Sequence, residues 1–232
     1  MRSRTPDSLR LEAEGLARRG VKELILVAQD STDYGRDLAG GADLAALLRT
    51  LDRVPGIEWI RIHYAYPGRV TRDLLEAMAG SSRTCRYLDI PLQHSDKTIL
   101  RAMKRGGHAA VFLRMIRRIR RHLPGCALRT TFLVGFPGES RQAFRGLCEF
   151  VREAQFDHAG VFTYSSEEGT PAFARKDDIP AGLKEERRAR LMEIQARISL
   201  ARNRARLGKV LPVRVDGLEP ETRMLLVGRT EF

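Results

Sequence analysis

The chain has 232 residues, 43% of them hydrophobic, which is enough for one α/β domain or a domain with a small appendage and argues against disorder. A net charge of +12 favours an acidic or polyanionic partner such as RNA or the ribosome, and equally fits a sequence that fills exposed positions with Arg. No apolar run reaches membrane-spanning length and Met1-Arg2-Ser3-Arg4-Thr5-Pro6 lacks a signal-peptide core, so the expected compartment is the cytoplasm, with no membrane partner.

A helix opens the chain. Thr5 caps it, Pro6 suits its first position, Asp7 favours its positive end, and Gly20 stops it; Leu9, Ala13, Leu16 and Ala17 fall on one face. Glu23 to Ala28 is an apolar run of strand length, expected to be buried on both faces. The unit then repeats. Leu44, Leu47, Leu48 and Leu51 mark a helix before a strand at Trp59 to Tyr64, and Thr71 caps a helix carrying Leu74, Leu75 and Met78 before a strand at Tyr87 to Ile90. A basic helix with Phe112, Met115, Ile116 and Ile119 inward precedes a strand at Leu128 to Val134. Phe144, Leu147, Cys148 and Val151 mark the next helix, and Gly160 to Tyr164 the last strand of the series. Five strands with intervening helices predict a parallel α/β sheet, curled by right-handed crossovers into a barrel or partial barrel. Beyond it, Lys184 to Arg206 predicts one long helix with Leu191, Ile194, Ile198 and Ala201 inward. Leu211, Val213 and Val215 then alternate, Asp216-Gly217 signals a turn, and Met224 to Val227 predicts a second strand of an antiparallel module.

A parallel barrel gathers its chemistry at the carboxyl ends of its strands. At the first, Gln29 and Asp30 suit the ammonium group of an amino-acid-like ligand, while Asp30 equally suits a loop cap. His63, Tyr64 and Tyr66 surround the second, where His63 fits a structural hydrogen bond more readily than a base. At the third, Gln93 and Ser95 suit ribose hydroxyls and His94 is a titratable neighbour; Ser95 or Asp96 also suits a cap for a helix starting near Lys97. Gly135-Phe136-Pro137-Gly138-Glu139 is a glycine-bearing turn in which Pro137-Gly138 fits type II, without the Lys or spacing of a phosphate-gripping loop. Gly135 leaves room for a ligand to approach the backbone. Arg129, inside a strand, calls for a ligand carboxylate or an inward Glu. Phe162, Thr163 and Tyr164 offer an aromatic edge for a flat base. Cys85, Cys126 and Cys148 have no C-x-x-C or C-x-x-x-C-x-x-C spacing and read as structural thiols, not metal ligands.

Taken in order, Gln29-Asp30, Leu92-Gln93-His94-Ser95, the turn Gly135 to Glu139, and Phe162-Thr163-Tyr164-Ser165 resemble the radical S-adenosylmethionine (SAM) methylthiotransferases, in wording closest to the RimO family, over about residues 2 to 175. The resemblance implies a partial radical-SAM barrel over 1–180, a connecting helix over 181–207 and, over 208–232, the start of a truncated TRAM-like RNA-binding module. Gln29 and Asp30 then stand at the SAM amino group, Gln93 and Ser95 at the ribose, Gly135 behind the nucleoside and Phe162 to Tyr164 at the adenine; Arg129 is a carboxylate or ribose contact. The implied activity is addition of a methylthio group to the β-carbon of an aspartate in a small-subunit ribosomal protein. A 4Fe–4S cluster cleaves SAM there to a 5′-deoxyadenosyl radical. The cluster-binding cysteine loop and the amino-terminal domain are not in this sequence, so the resemblance implies a fragment, inactive alone, with no catalytic residue of its own. A tRNA adenosine methylthiotransferase fragment and a noncatalytic module binding ribosomal RNA or protein are the alternatives.

Overall fold

The computed structural model describes residues 2–232. Thr5 accepts a hydrogen bond from the Ser8 N–H and Pro6 lies in the first turn of α1 (Pro6–Arg18), which leads into β1 (Glu23–Leu26). Asp43 caps α2 (Leu44–Leu51) ahead of β2 (Trp59–Ile62), and Thr71 caps α3 (Arg72–Gly80) ahead of β3 (Thr84–Asp89). After β3 come α4 (Lys97–Ala102), capped by Asp96, α5 (Ala109–His122), β4 (Ala127–Val134), α6 (Arg141–Ala154), capped by Ser140, and β5 (His158–Thr163). The strands pair in chain order, every pair parallel, as expected for a partial barrel. All five carboxyl ends therefore lie along one edge of the sheet.

The two faces of the sheet differ. Ile60, Ile62, Leu88, Leu128, Phe132 and Val134 enter one apolar core with Leu48, Leu75, Ile116, Ile119, Leu147 and Val151 from the helices. The alternate positions, such as Arg61, Asp89, Arg129 and Thr131, face the other way, so the strands are not buried apolar runs on both sides. The expectation for Glu23 to Ala28 is the clearest correction. Leu24 is buried, but Ile25, beside Arg61 on the open sheet face, is 48% exposed, and Val27, just past the end of this edge strand, is 64% exposed.

The long helix is α7 (Ala181–Arg204), which buries Leu191, Ile194 and Ile198 together with the polar Lys184, Arg187 and Gln195. Buried Asp157 fixes its far end, accepting from Leu128 N–H at 3.0 Å and Arg206 at 2.8 Å. A hairpin follows, β6 (Arg214–Leu218) with β7 (Leu226–Arg229). Asp216-Gly217 is not its turn. It forms an irregularity inside β6, held because Arg229 donates two hydrogen bonds to Asp216, at 2.7 and 3.0 Å, and the chain reverses around Glu219 to Arg223 instead. The last residues fold back onto the amino-terminal half of the open sheet face: Phe232 packs beside Cys85, Tyr87 and Ala127, and Arg61 donates to the Glu231 carbonyl at 2.8 Å.

The exposed edge generates a prediction. Unpaired backbone with Ile25 and Val27 uncovered templates edge-to-edge association. Val27→Lys should raise the protein concentration at which light scattering reports aggregation, while changing unfolding stability by no more than about 0.5 kcal/mol, as for an exposed substitution.

Candidate functional site

The strand ends are built with unusual backbone. Pro91 has no N–H to give the ladder after β3, and Thr130 bridges the gap, donating to the Ile90 carbonyl at 2.9 Å and accepting from Leu92 N–H at 3.3 Å. The chain rejoins β4 at Gln93, whose N–H donates to Thr131 and whose carbonyl accepts from Leu133, both at 2.8 Å. Gln93 does so with φ of 68°, and Tyr64 beyond β2 has φ of 58°. Such left-handed conformations in non-glycine residues cost free energy and cluster where a site needs a side chain aimed in a particular direction.

Between these ends lies a groove of about 390 Å³, lined by Gln29, Asp30, Gln93, Arg129 and Phe162, with Tyr64 and Arg105 also contributing. Gln29 is exposed and Phe162 is 59% exposed, so an amide and an aromatic face are available to a ligand. Asp30 accepts from Thr32 N–H at 2.9 Å and pairs with Arg69 at 2.7 Å, so its capping role is real alongside its place in the groove. Arg129 has an acid, but it is Asp89 of β3, 3.0 Å away, where a ligand carboxylate or a Glu was expected. His63 is held below its usual pKa, mainly by burial and against the pull of Asp89.

Three expected residues are elsewhere. Ser95 is buried and lines a separate polar cleft beside Asp96 and Ser140. Gly135 has φ of 73°, but the group approaching it is the Lys184 side chain, whose methylenes would collide with any Cβ there. Tyr164 is buried, its ring 5.1 Å from that of Phe136 and its hydroxyl donating to the Ala172 carbonyl at 3.3 Å.

What the sequence did not disclose is the clamp behind the groove. Asp96 N–H donates to His94 Nδ1 at 2.9 Å, which leaves the ring hydrogen on Nε2 to donate to Glu139 Oε1 at 3.0 Å. The other oxygen, Oε2, accepts from Gly135 N–H and from Arg187, each at 2.6 Å. His94 and Glu139 have fully buried side chains and Arg187 is 5% exposed. One carboxylate thus ties together the β3 end, the type II turn after β4 and α7. The turn itself forms as expected, Glu139 N–H donating to the Phe136 carbonyl at 2.9 Å with Gly138 at φ of 86°. A Glu closing a glycine-rich turn, with a His near the preceding strand end, was the available signal.

Among the described residues no group of three or more His, Cys, Asp or Glu is placed to hold a metal ion. The cysteines are buried, and burial raises the Cys85 thiol to about 11 and the Cys126 thiol to about 12, away from the thiolate a metal needs.

An open parallel sheet with helices between its strands, and with polar and aromatic groups gathered at its carboxyl ends, defines an α/β protein of the barrel type. The sequence pattern of the Radical SAM superfamily matches residues 1–151, and the chain belongs to that superfamily. It is 50% identical over 221 residues to the ribosomal protein uS12 methylthiotransferase RimO of Synechococcus sp. (strain JA-3-3Ab), covering 95% of this chain and 48% of that protein. It is 45% identical to that of Koribacter versatilis (99% and 45% covered) and 50% identical to that of Anaeromyxobacter sp. strain K (98% and 49%). The chain spans about half the length of the curated relatives it matches. Coproporphyrinogen III oxidase (HemN) from Escherichia coli, a radical SAM enzyme, shares the fold at a TM-score of 0.55 and 16% identity, covering 86% of this chain and 47% of that one.

The clamp is directly testable. Glu139→Ala leaves buried Arg187 without its counter-charge and should cost about 3–5 kcal/mol in urea denaturation. Glu139→Gln offers one acceptor and turns its amide N–H towards another donor, so it should recover only part of that loss, still costing about 1–3 kcal/mol.

Proposed function

We propose that the chain is the barrel portion of a radical SAM methylthiotransferase that modifies an aspartate of ribosomal protein uS12. The observation that carries this reading is the 45–50% identity, over 95–99% of the chain, to proteins named for that activity. The groove supports it on chemistry. Its volume of about 390 Å³ suits a small molecule, and its donor set matches the parts of SAM. In this reading Gln29 and Asp30 receive the amino group, Arg129 the carboxylate, Gln93 the ribose hydroxyls and Phe162 the adenine face. Ser95, Gly135 and Tyr164 act one layer behind, shaping the strand ends that carry Gln93 and Phe162. SAM, with a 4Fe–4S cluster, supplies the radical chemistry on which methylthio transfer depends. The three buried thiols do not fit a cluster; in this reading its ligands come from parts of the relatives' length that this chain does not span.

The division into a barrel over 1–180, a connecting helix over 181–207 and the start of a TRAM-like module over 208–232 belongs to the same proposal. So does contact with ribosomal RNA, for which Arg120 and Arg121 in the last turn of α5 provide positive charge; the hairpin carries three Arg against three acidic residues between Arg214 and Arg229 and adds none. No helix among the described residues is long and apolar enough to cross a membrane, in keeping with work on ribosomes in the cytoplasm.

Titration calorimetry of SAM into the chain tests the reading. Saturable binding is expected, weakened about five- to hundredfold by Gln93→Ala or Phe162→Ala, each of which removes a hydrogen bond or stacking contact of about 1–3 kcal/mol. Salt-dependent RNA binding with no SAM affinity would favour a noncatalytic RNA-binding module instead.

A further inference from the structure

Asp89 is the buried carboxylate that the fold leaves least satisfied. Its side chain has no exposed surface, yet neither oxygen has an aligned hydrogen-bond partner within the described residues. Its one ion pair among the described residues is with Arg129 Nη1, 3.0 Å from Oδ1 but without hydrogen-bond alignment. The other buried carboxylates are better provided for. Glu139 takes His94, Gly135 N–H and Arg187, and Asp157 takes Leu128 N–H and Arg206. A pair retained only for the core would be expected to resemble them, since a buried charge with few partners destabilises the fold.

The geometry explains the difference. Asp89 and Arg129 are direct register partners across β3 and β4, so their side chains stand side by side on the open sheet face. Arg129 is 37% exposed, lines the groove, and makes no other ion pair among the described residues. A guanidinium has five N–H donors in a planar fork. One side is turned to Asp89 and the remaining donors are free on the groove side, the arrangement that receives a carboxylate.

We propose that Asp89 is a positioning residue, which anchors the Arg129 guanidinium so that its free edge receives the carboxylate of the groove's ligand. The inference rests on the reading of the groove as a SAM site and adds the residue that makes Arg129 selective for the amino-acid end of that ligand. Asp89 does not touch the ligand. Its effect passes through Arg129, and without it the long side chain regains rotamer freedom.

The experiment compares SAM with decarboxylated SAM, which keeps the sulfonium, the amine and the nucleoside. The unaltered chain should bind SAM at least about tenfold more tightly, the scale of a charge-assisted pair. Asp89→Ala should remove most of that preference and leave the affinity for decarboxylated SAM within about twofold. Asp89→Asn, which keeps an acceptor for Nη1, should restore SAM binding to within about threefold of the unaltered chain. In an Arg129→Gln background, Asp89→Ala should have no further effect on SAM, because coupled residues are non-additive. If Asp89→Ala does not fold, Asp89→Glu carries the same test: the added methylene displaces the guanidinium and should selectively weaken SAM. Equal loss for both ligands in the Asp89 variants would make Asp89 merely structural and overturn the proposal. Equal affinity of the unaltered chain for both would overturn the carboxylate assignment to Arg129. Failure of the unaltered chain to bind either ligand would overturn the SAM reading of the groove, and this proposal with it.

Discussion

The carboxylate of Glu139 is the constraint on which the site depends. Fully buried, it would carry a large desolvation cost were it not for His94, the Gly135 N–H and Arg187. Those three partners come from three different elements, so satisfying one charge also fixes the β3 end against the β4 turn and both against α7. Gln93, immediately before His94, is thereby held in its left-handed conformation and presented to the groove. The energy that retains the strained backbone comes from this buried clamp together with the two backbone bonds of Gln93 to β4.

The open face of the sheet divides along the strands. Towards their amino ends, Arg61 pairs with Glu23 at 2.9 Å, Arg229 pairs with the same carboxylate at 2.8 Å, and the segment ending at Phe232 covers them, so the buried charge is matched from two sides. Towards their carboxyl ends, Asp89 and Arg129 leave donors and acceptors unused beneath exposed Gln29 and Phe162. A fold that pairs its buried charges well in one half and poorly in the other shows where a ligand would complete it. The same contrast separates the clamp, where the exchange of a group is expected to cost stability, from the groove, where on the proposed function it costs binding.

Much of the architecture was legible because it is periodic. The stripes Leu44 to Leu51 and Phe112 to Ile119 are buried in α2 and α5, and Thr5 and Thr71 cap the helices they were read to cap. β3 begins at Thr84, earlier than expected, since Arg86 interrupts the apolar pattern and is exposed in the sheet. Asp216-Gly217 has the composition of a turn, but its partner Arg229 lies thirteen residues on and holds it in a strand, a contact that local reading cannot see. In the site, Gln29, Asp30, Gln93, Arg129 and Phe162 were readable as polar or aromatic groups at strand ends, and they do share the groove. Ser95 and Tyr164 were assigned to it by proximity in sequence. The positive φ at Gln93 reverses the direction of the chain's side chains there, sending His94 and Ser95 inward, and a backbone angle leaves no trace in residue type. Asp89 was missed because strand register, not sequence distance, places it beside Arg129.

Native-state amide hydrogen exchange at Gly135 tests the central claim most directly. Its N–H has the buried Glu139 carboxylate as acceptor, 2.6 Å away, so it reports whether that charge holds the turn in solution. If the clamp organises the site, Gly135 will exchange only through global unfolding, as slowly as Leu133 in the middle of the β3–β4 join. Exchange as fast as that of Gly138, whose amide has only the exposed Asp178 carboxylate as acceptor, at 3.2 Å, would mean that the turn opens independently and that Glu139 does not hold the strand ends together.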